Sequence, residues 1–196
     1  MARLTTRGPW YWDSFDPKTT RAGSDMAKIR RGMGRAAGDV PEMWPYYQVV
    51  IPDHAAAAGT RRTPELDAEH AALTLFAVHQ QSQSTPMHKD KEHIGTALLK
   101  LRGSKQFAAN PQALDERVNA AATASSVTEL VHHLKGLVTL LRGQQLPFDY
   151  TLLVHDLADW RWASSRTRIR RQWGAHYFAW NRADDEDNPE PEPDVQ

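Results

Sequence analysis

Apolar positions along this chain recur at three- and four-residue spacing from end to end, and period-two alternation is missing. The pattern predicts an all-α protein without strands. A first helix is expected over Arg21 to Met33, with Met26, Ile29 and Met33 on one face and Gly32, Gly34 and Gly38 ending it. Pro41 to Ile51 reads as a short segment kinked at Pro45, and Asp53 to Arg62 as a loop rich in alanine and arginine. Thr63-Pro64 supplies an N-cap followed by proline at the first helical position, opening a helix that runs to Gln83. The next helix, Lys89 to Arg102, carries Ile94, Leu98 and Leu101, and Gly103-Ser104 stops it. Asn110-Pro111 repeats the cap-plus-proline signal before a helix to Ala124. Ser126 and Glu129 stand at capping-box spacing and open a helix to Gly143, striped by Val127, Leu130, Leu134, Leu137 and Leu141. Pro147-Phe148-Asp149 restarts the chain into a helix lined by Leu153, Leu157 and Trp160. Ser165 to Asn181 closes the series with Ile169, Trp173, Tyr177 and Trp180 inward. The expected architecture is about eight helices in two small helical-bundle lobes, 1–104 and 105–183, divided at Gly103-Ser104.

Composition narrows the class. With 40% apolar and 24% charged residues and a mean hydropathy of −0.63, the chain reads as an ordinary globular protein. The apolar run Leu75 to Val78 is far short of the ~20 residues of a membrane helix, and no basic start leads into an apolar stretch. No membrane partner and no secretory signal are expected. There is no cysteine, which excludes disulfides, thiolate metal sites and cysteine nucleophiles and makes a reducing cytoplasm the expected compartment.

Charge changes the picture more than composition does. The 24 bases and 24 acids cancel, yet seven of the acids lie in residues 184–196 (DDEDNPEPEPDVQ), leaving 17 against all 24 bases in the rest of the chain. That tail, acidic and spaced by prolines, is expected to be disordered, and the basic body to face a polyanion with which the tail competes. The bases group on helical faces. Arg21, Lys28, Arg31 and Arg35 lie away from the first apolar stripe; Lys89, His93, Thr96 and Lys100 form a second polar face. Lys135, Thr139 and Arg142 form a third, and Arg168, Arg171 and Arg182 a fourth, opposite Trp173. Cations spaced by one or two helical turns suit sequence-independent contact with a phosphate backbone. The candidate nucleic-acid-binding residues are therefore Lys28, Arg30, Arg31, Arg35, Lys89, Lys100, Arg102, Lys135, Arg142, Arg168, Arg170 and Arg171. A plain solvated face is the competing explanation for each stripe.

Catalytic readings carry less. His155-Asp156, preceded by His132 and His133, resembles the ligand order of the HD phosphohydrolases, but that scheme needs a later aspartate on a rigid helix. After Asp159 the next aspartate is Asp184, in the tail, and the wheel turns His155 toward solvent. No glycine loop of a nucleotide-binding type is present, and the serine pairs sit where helix caps are needed. A non-enzyme without metal or cofactor is expected. Seven tryptophans are a heavy load; Trp160, Trp173 and Trp180 read as core, and Trp10 and Trp12 as docking the N-terminal segment onto the body.

The order of segments resembles a known family. A double-arginine glycine segment leads to a proline-aromatic turn (Arg30, Arg31, Gly32, Gly34, Pro41, Trp44, Pro45), then a glycine-leucine helix (Gly95, Leu98, Leu101). A leucine helix follows, leading to an aspartate-leucine-tryptophan end (Leu134, Leu141, Leu153, Asp156, Leu157, Trp160), and then an arginine-rich last helix (Arg170, Arg171, Trp173, Phe178). Over residues 10–182 this resembles the CasB family, the small subunit of the type I-E CRISPR surveillance complex, Cascade. The resemblance implies a non-catalytic helical protein that pairs with a second copy and meets the other Cascade subunits, the crRNA, and the target and non-target DNA strands. In such a complex base pairing reads the sequence and the small subunit needs only backbone contacts. A helical DNA-binding transcriptional regulator is the alternative, although the helices flanking Gly143 to Asp149 are a long one and an apolar one rather than a helix-turn-helix. A structural adaptor with acidic protein partners is the third reading.

Overall fold

The computed structural model describes residues 4–51 and 62–179; the loop expectation at 53–61, Trp180, Arg182 and the acidic tail 184–196 lie outside the described residues. Seven α-helices are described: α1 (Ala22–Arg30), α2 (Pro64–His79), α3 (Ile94–Arg102), α4 (Gln112–Thr123), α5 (Val127–Gly143), α6 (Tyr150–Asp159) and α7 (Ala163–Tyr177). Two 3₁₀ helices, Tyr11–Ser14 and Pro41–Tyr46, join them. The protein is all-α: among the described residues only two isolated bridges occur, Thr6 with Val49 and His88 with Phe148.

Helix α2 is the axis of the molecule because every residue from Ala68 to His79 is buried, apolar side chains on all sides with Glu69, His70, Thr74 and His79 among them. Leu73, Leu75 and Phe76 have no exposure, and each such side chain contributes about 1.5–3 kcal/mol on burial. Thr63 caps its start, its Oγ1 accepting from Leu66 N at 3.2 Å, with Pro64 at the first helical position. Helices α5 and α6 pack on α2 from one end of the sequence and α1 from the other, while α3 packs on α7 and α4 on α5. One hydrophobic cluster runs through all of them from Trp10 to Tyr177 and continues across the turn at Gly103-Ser104. The N-terminal segment docks on the body as expected: Trp12 is buried, and its Nε1 donates to Thr151 Oγ1 at 3.0 Å.

Several boundaries shift for identifiable reasons. Helix α1 stops at Arg30, short of Met33, where the glycines let the chain turn, Gly34 and Gly38 taking φ of +77° and +87°. Helix α3 starts at Ile94 rather than Lys89, because Lys91 takes φ +62° and His93 occupies the cap, its Nδ1 accepting from Gly95 N at 3.1 Å. The Ser126 cap holds, accepting from Glu129 N at 3.2 Å, but Glu129 reaches back to Ser125 N, one residue beyond the usual box. Helix α7 begins at Ala163, so Ser164 and Ser165 lie inside it and Trp162 takes the cap position without a side-chain bond.

Candidate nucleic-acid interface

The turn that follows α1 folds down onto α2 because Gly32 has no side chain. A Cβ there would stand 2.0 Å from Met43 Sδ and 2.8 Å from His70 Cε1. The buried His70 bridges this junction, its Nε2 at 2.9 Å from Gly32 O and its Nδ1 at 2.7 Å from the Tyr47 hydroxyl. Burial pulls its pKa below the usual histidine value, so the ring is neutral and carries no charge into the wall. Against this wall, the N-terminal half of α5 and the end of α6 leave a cleft of about 570 Å³. Met33, Ala71, Val131 and Leu157 give it an apolar lining; Arg35, Arg62, His132, Lys135 and Arg161 add cationic or ionisable groups. Arg62 pairs with Asp67 at 2.7 Å and Arg161 with Glu65 at 2.9 Å. Arg35 and Lys135 are exposed and form no ion pair with a described residue.

The structure brings these two expected residues together, from α5 and from the turn after α1, which helical wheels treat separately. It sorts the remaining ten by what already holds them. Lys28 lies 3.8 Å from Asp25 and Arg31 3.1 Å from Glu42, both on open surface. Lys89 and Lys100 converge on Glu92, Lys89 at 3.3 Å. Burial of Glu92 opposes ionisation, but the bonds from Lys100 and Lys89 outweigh it and hold its carboxyl below the usual range. The stripe Lys89, His93, Thr96 and Lys100 is not a helical face, since α3 begins at Ile94 and His93 is buried against His176, the rings stacked at 4.2 Å.

Five arginines carry bonds that hold the fold. Arg30 donates to Ala77 O at 3.4 Å, tying α1 to α2, and Arg142 donates to Val78 O at 3.2 Å and Gln81 Oε1 at 3.0 Å. Arg102 grips Asp115 with two bonds, 2.8 and 3.0 Å, and these bonds hold that carboxyl below its usual range. Arg168 pairs with the buried Asp159 at 3.1 Å. Arg170 lies over the Trp160 ring, 5.8 Å from its centroid, and donates to the carbonyls of Ala122 and Ala124. Arg171 is exposed. Sequence reasoning missed Arg62, His132 and Arg161 because they flank helix ends or face a neighbouring helix; the Arg161-Trp162 pair between two helices was the available signal.

The His-Asp dipeptide has a structural role. Asp156 is buried and accepts from Trp173 Nε1 at 2.8 Å, fixing α7 on α6. His155 is half-buried rather than solvent-facing, with its Nδ1 enclosed and unpartnered. Among the described residues no group of three His, Asp or Glu is placed to hold a metal ion. Helix α6 is covered by α2, so it presents no free recognition helix of the kind a helix-turn-helix regulator inserts into a groove. No described helix is long and apolar enough to cross a membrane.

Comparison with known proteins places this fold. Residues 25–178 match the family model of CRISPR-associated protein Cse2. No curated protein matches the chain. The crystal structure of CasB from Thermobifida fusca is similar at 29% identity, covering 81% of this chain and 85% of that one, with a TM-score of 0.63. A chain of a CRISPR RNA-guided surveillance complex is similar at 26% identity over 80% of this chain and 82% of that one, TM-score 0.58. CasB from Thermus thermophilus shares the fold at 18% identity, covering 83% and 90%, TM-score 0.59.

Proposed function

The chain belongs to the CRISPR-associated Cse2 family, and from that premise we propose that it is the small subunit of a type I-E CRISPR RNA-guided surveillance complex, Cascade. Its work there is non-catalytic: it contacts nucleic-acid backbones without reading sequence and steadies the displaced non-target strand of the R-loop. The partners are the other Cascade subunits, the crRNA, the two DNA strands and a second copy of this chain. The observation that carries the reading, beside the family match and the similarity to a chain of a surveillance complex, is the cleft. Arg35 and Lys135 line it without an acidic partner among the described residues, which leaves their charge available to phosphate. The lobe division at Gly103-Ser104 belongs to the same proposal, as a topological boundary between halves that share one core.

Co-purification with the other Cascade proteins and RNA tests membership of the complex. Salt titration of single-stranded DNA binding tests the surface. For Z phosphate contacts the log–log slope is about −0.7Z on single strands, so Arg35→Ala with Lys135→Ala should weaken binding and flatten the slope by about 1.4. Both side chains are exposed, so thermal melting should change little, within about 0.5 kcal/mol each. Unchanged affinity and slope in the double variant would remove the cleft from the interface.

A further inference from the structure

Most tryptophans are absorbed by the core; two of the described ones are not. Trp44 is 58% exposed and Trp162 56% exposed. Neither is part of the cleft lining, but each is tied to its rim through a neighbour. Trp162 follows Arg161, which lines the cleft, and the Arg161 guanidinium lies over the Trp162 ring, 5.1 Å from its centroid. Arg161 is itself anchored by Glu65 at 2.9 Å, so the cation that backs the ring is fixed to α2. Trp44 donates its indole N–H to Gly38 O at 2.7 Å, next to Ala37 in the cleft wall. Each ring is held by a specific contact while more than half of the residue faces solvent.

Folding does not account for Trp162. It fills the N-cap of α7, where a hydroxyl or carboxylate side chain would bond the first free N–H groups, and it makes no such bond. A large aromatic at a cap, exposed and backed by an arginine beside a cationic cleft, has the chemistry of a base platform. We propose that Trp162, backed by Arg161, stacks an unpaired base, that Trp44 offers a second ring, and that the cleft accordingly takes single-stranded nucleic acid. The phosphates go to Arg35 and Lys135 and the bases to the indoles. Stacking of this kind tolerates any sequence, because every base has a π-face, and a duplex gains nothing from it, because its bases are already stacked inside. The guanidinium occupies one face of the indole and leaves the other to the base.

This inference rests on the nucleic-acid reading above, and one experiment separates the two. The full-length chain is titrated, at fixed moderate salt, with oligothymidylate and with an abasic oligomer of equal length, which keeps the phosphates and lacks the bases. Stacking predicts tighter binding of the oligothymidylate by about fivefold or more per stacked base, with quenching of tryptophan emission. Trp162→Ala should lower that preference while leaving abasic affinity in place, Trp162→Phe should retain part of it, and adding Trp44→Ala should bring the ratio close to one. Equal affinity of the wild-type chain for both oligomers, or a preference unchanged in the double variant, overturns the stacking role and leaves the electrostatic reading standing. No salt-dependent binding of either oligomer overturns both. The wild-type comparison needs no substitution, so the test does not depend on how a variant folds.

Discussion

At the scale of single residues, buried polar groups decide how the helices are keyed together. Asp156 shows this most directly: a carboxyl enclosed between α6 and α7, with Trp173 Nε1 donating to it. Burial pushes its pKa up from the ordinary carboxylate value to about 6, although the Trp173 bond and the nearby Arg168 oppose the shift. A carboxyl raised on folding contributes stability that is complete below its unfolded pKa and is lost as pH rises through the folded one. The window here runs from about 3.8 to about 6. Asp156→Asn keeps an acceptor for Trp173 and cannot ionise. Between pH 4 and pH 6.5 it should therefore gain on the wild type by roughly 2–3 kcal/mol, read as the difference between paired melts at each pH. A difference that stays constant with pH would mean that Asp156 is ionised in the fold throughout. Trp173 was legible as core from its helical register; that its partner would be the aspartate of the His-Asp dipeptide was not, because the pairing joins two helices.

At the scale of elements, two glycines inside helices make opposite demands. Gly95 in α3 faces α7, where a Cβ would stand 2.7 Å from Trp173 O and 2.8 Å from His176 Cβ. The neighbouring backbone cannot yield locally, so Gly95→Ala should force α3 and α7 apart at a cost of about 1–3 kcal/mol. Gly136 in α5 has nothing within 4 Å of the same position. There an alanine only adds helix propensity, and Gly136→Ala should stabilise by up to about 1 kcal/mol. Denaturant unfolding of the pair distinguishes close packing from backbone freedom; two destabilised variants would place an unseen constraint on Gly136. Helix existence, the Thr63 and Ser126 caps and the inward stripes of α5 and α7 were all readable from spacing. Starts and stops were less so where backbone at positive φ (Gly34, Lys91) or an unlikely cap residue such as His93 intervened. The basic stripes fared unevenly because a helical wheel sees one element. It separates polar from apolar faces, but Arg102 finds Asp115 and Arg170 finds the carbonyls of Ala122 and Ala124 at the end of α4 only when the elements are assembled.

At the scale of the whole molecule, the charge segregation and the shared core govern behaviour. Residues 184–196 hold seven acids and the remainder of the chain a surplus of seven bases. A tethered polyanion competes with phosphate at an effective concentration set by its reach. Deleting 184–196 should leave the melt unchanged and tighten binding of single-stranded DNA at low salt, with the gain fading as salt screens both. A truncated chain that binds no better at low salt would show that the tail does not visit the basic surface.

The central position of α2 sets the order in which the chain can complete itself. The helix lies in the first half of the sequence, yet two of the helices that cover it, α5 and α6, end at Gly143 and Asp159. During synthesis α2 therefore leaves the ribosome with α1 already made but with the faces that α5 and α6 cover unprotected, and they stay so until most of the remaining chain has been made. A prematurely ended product stopping near Gly103 would carry that surface permanently. Incomplete chains are thus expected to expose apolar surface of the kind that chaperones and proteases recognise.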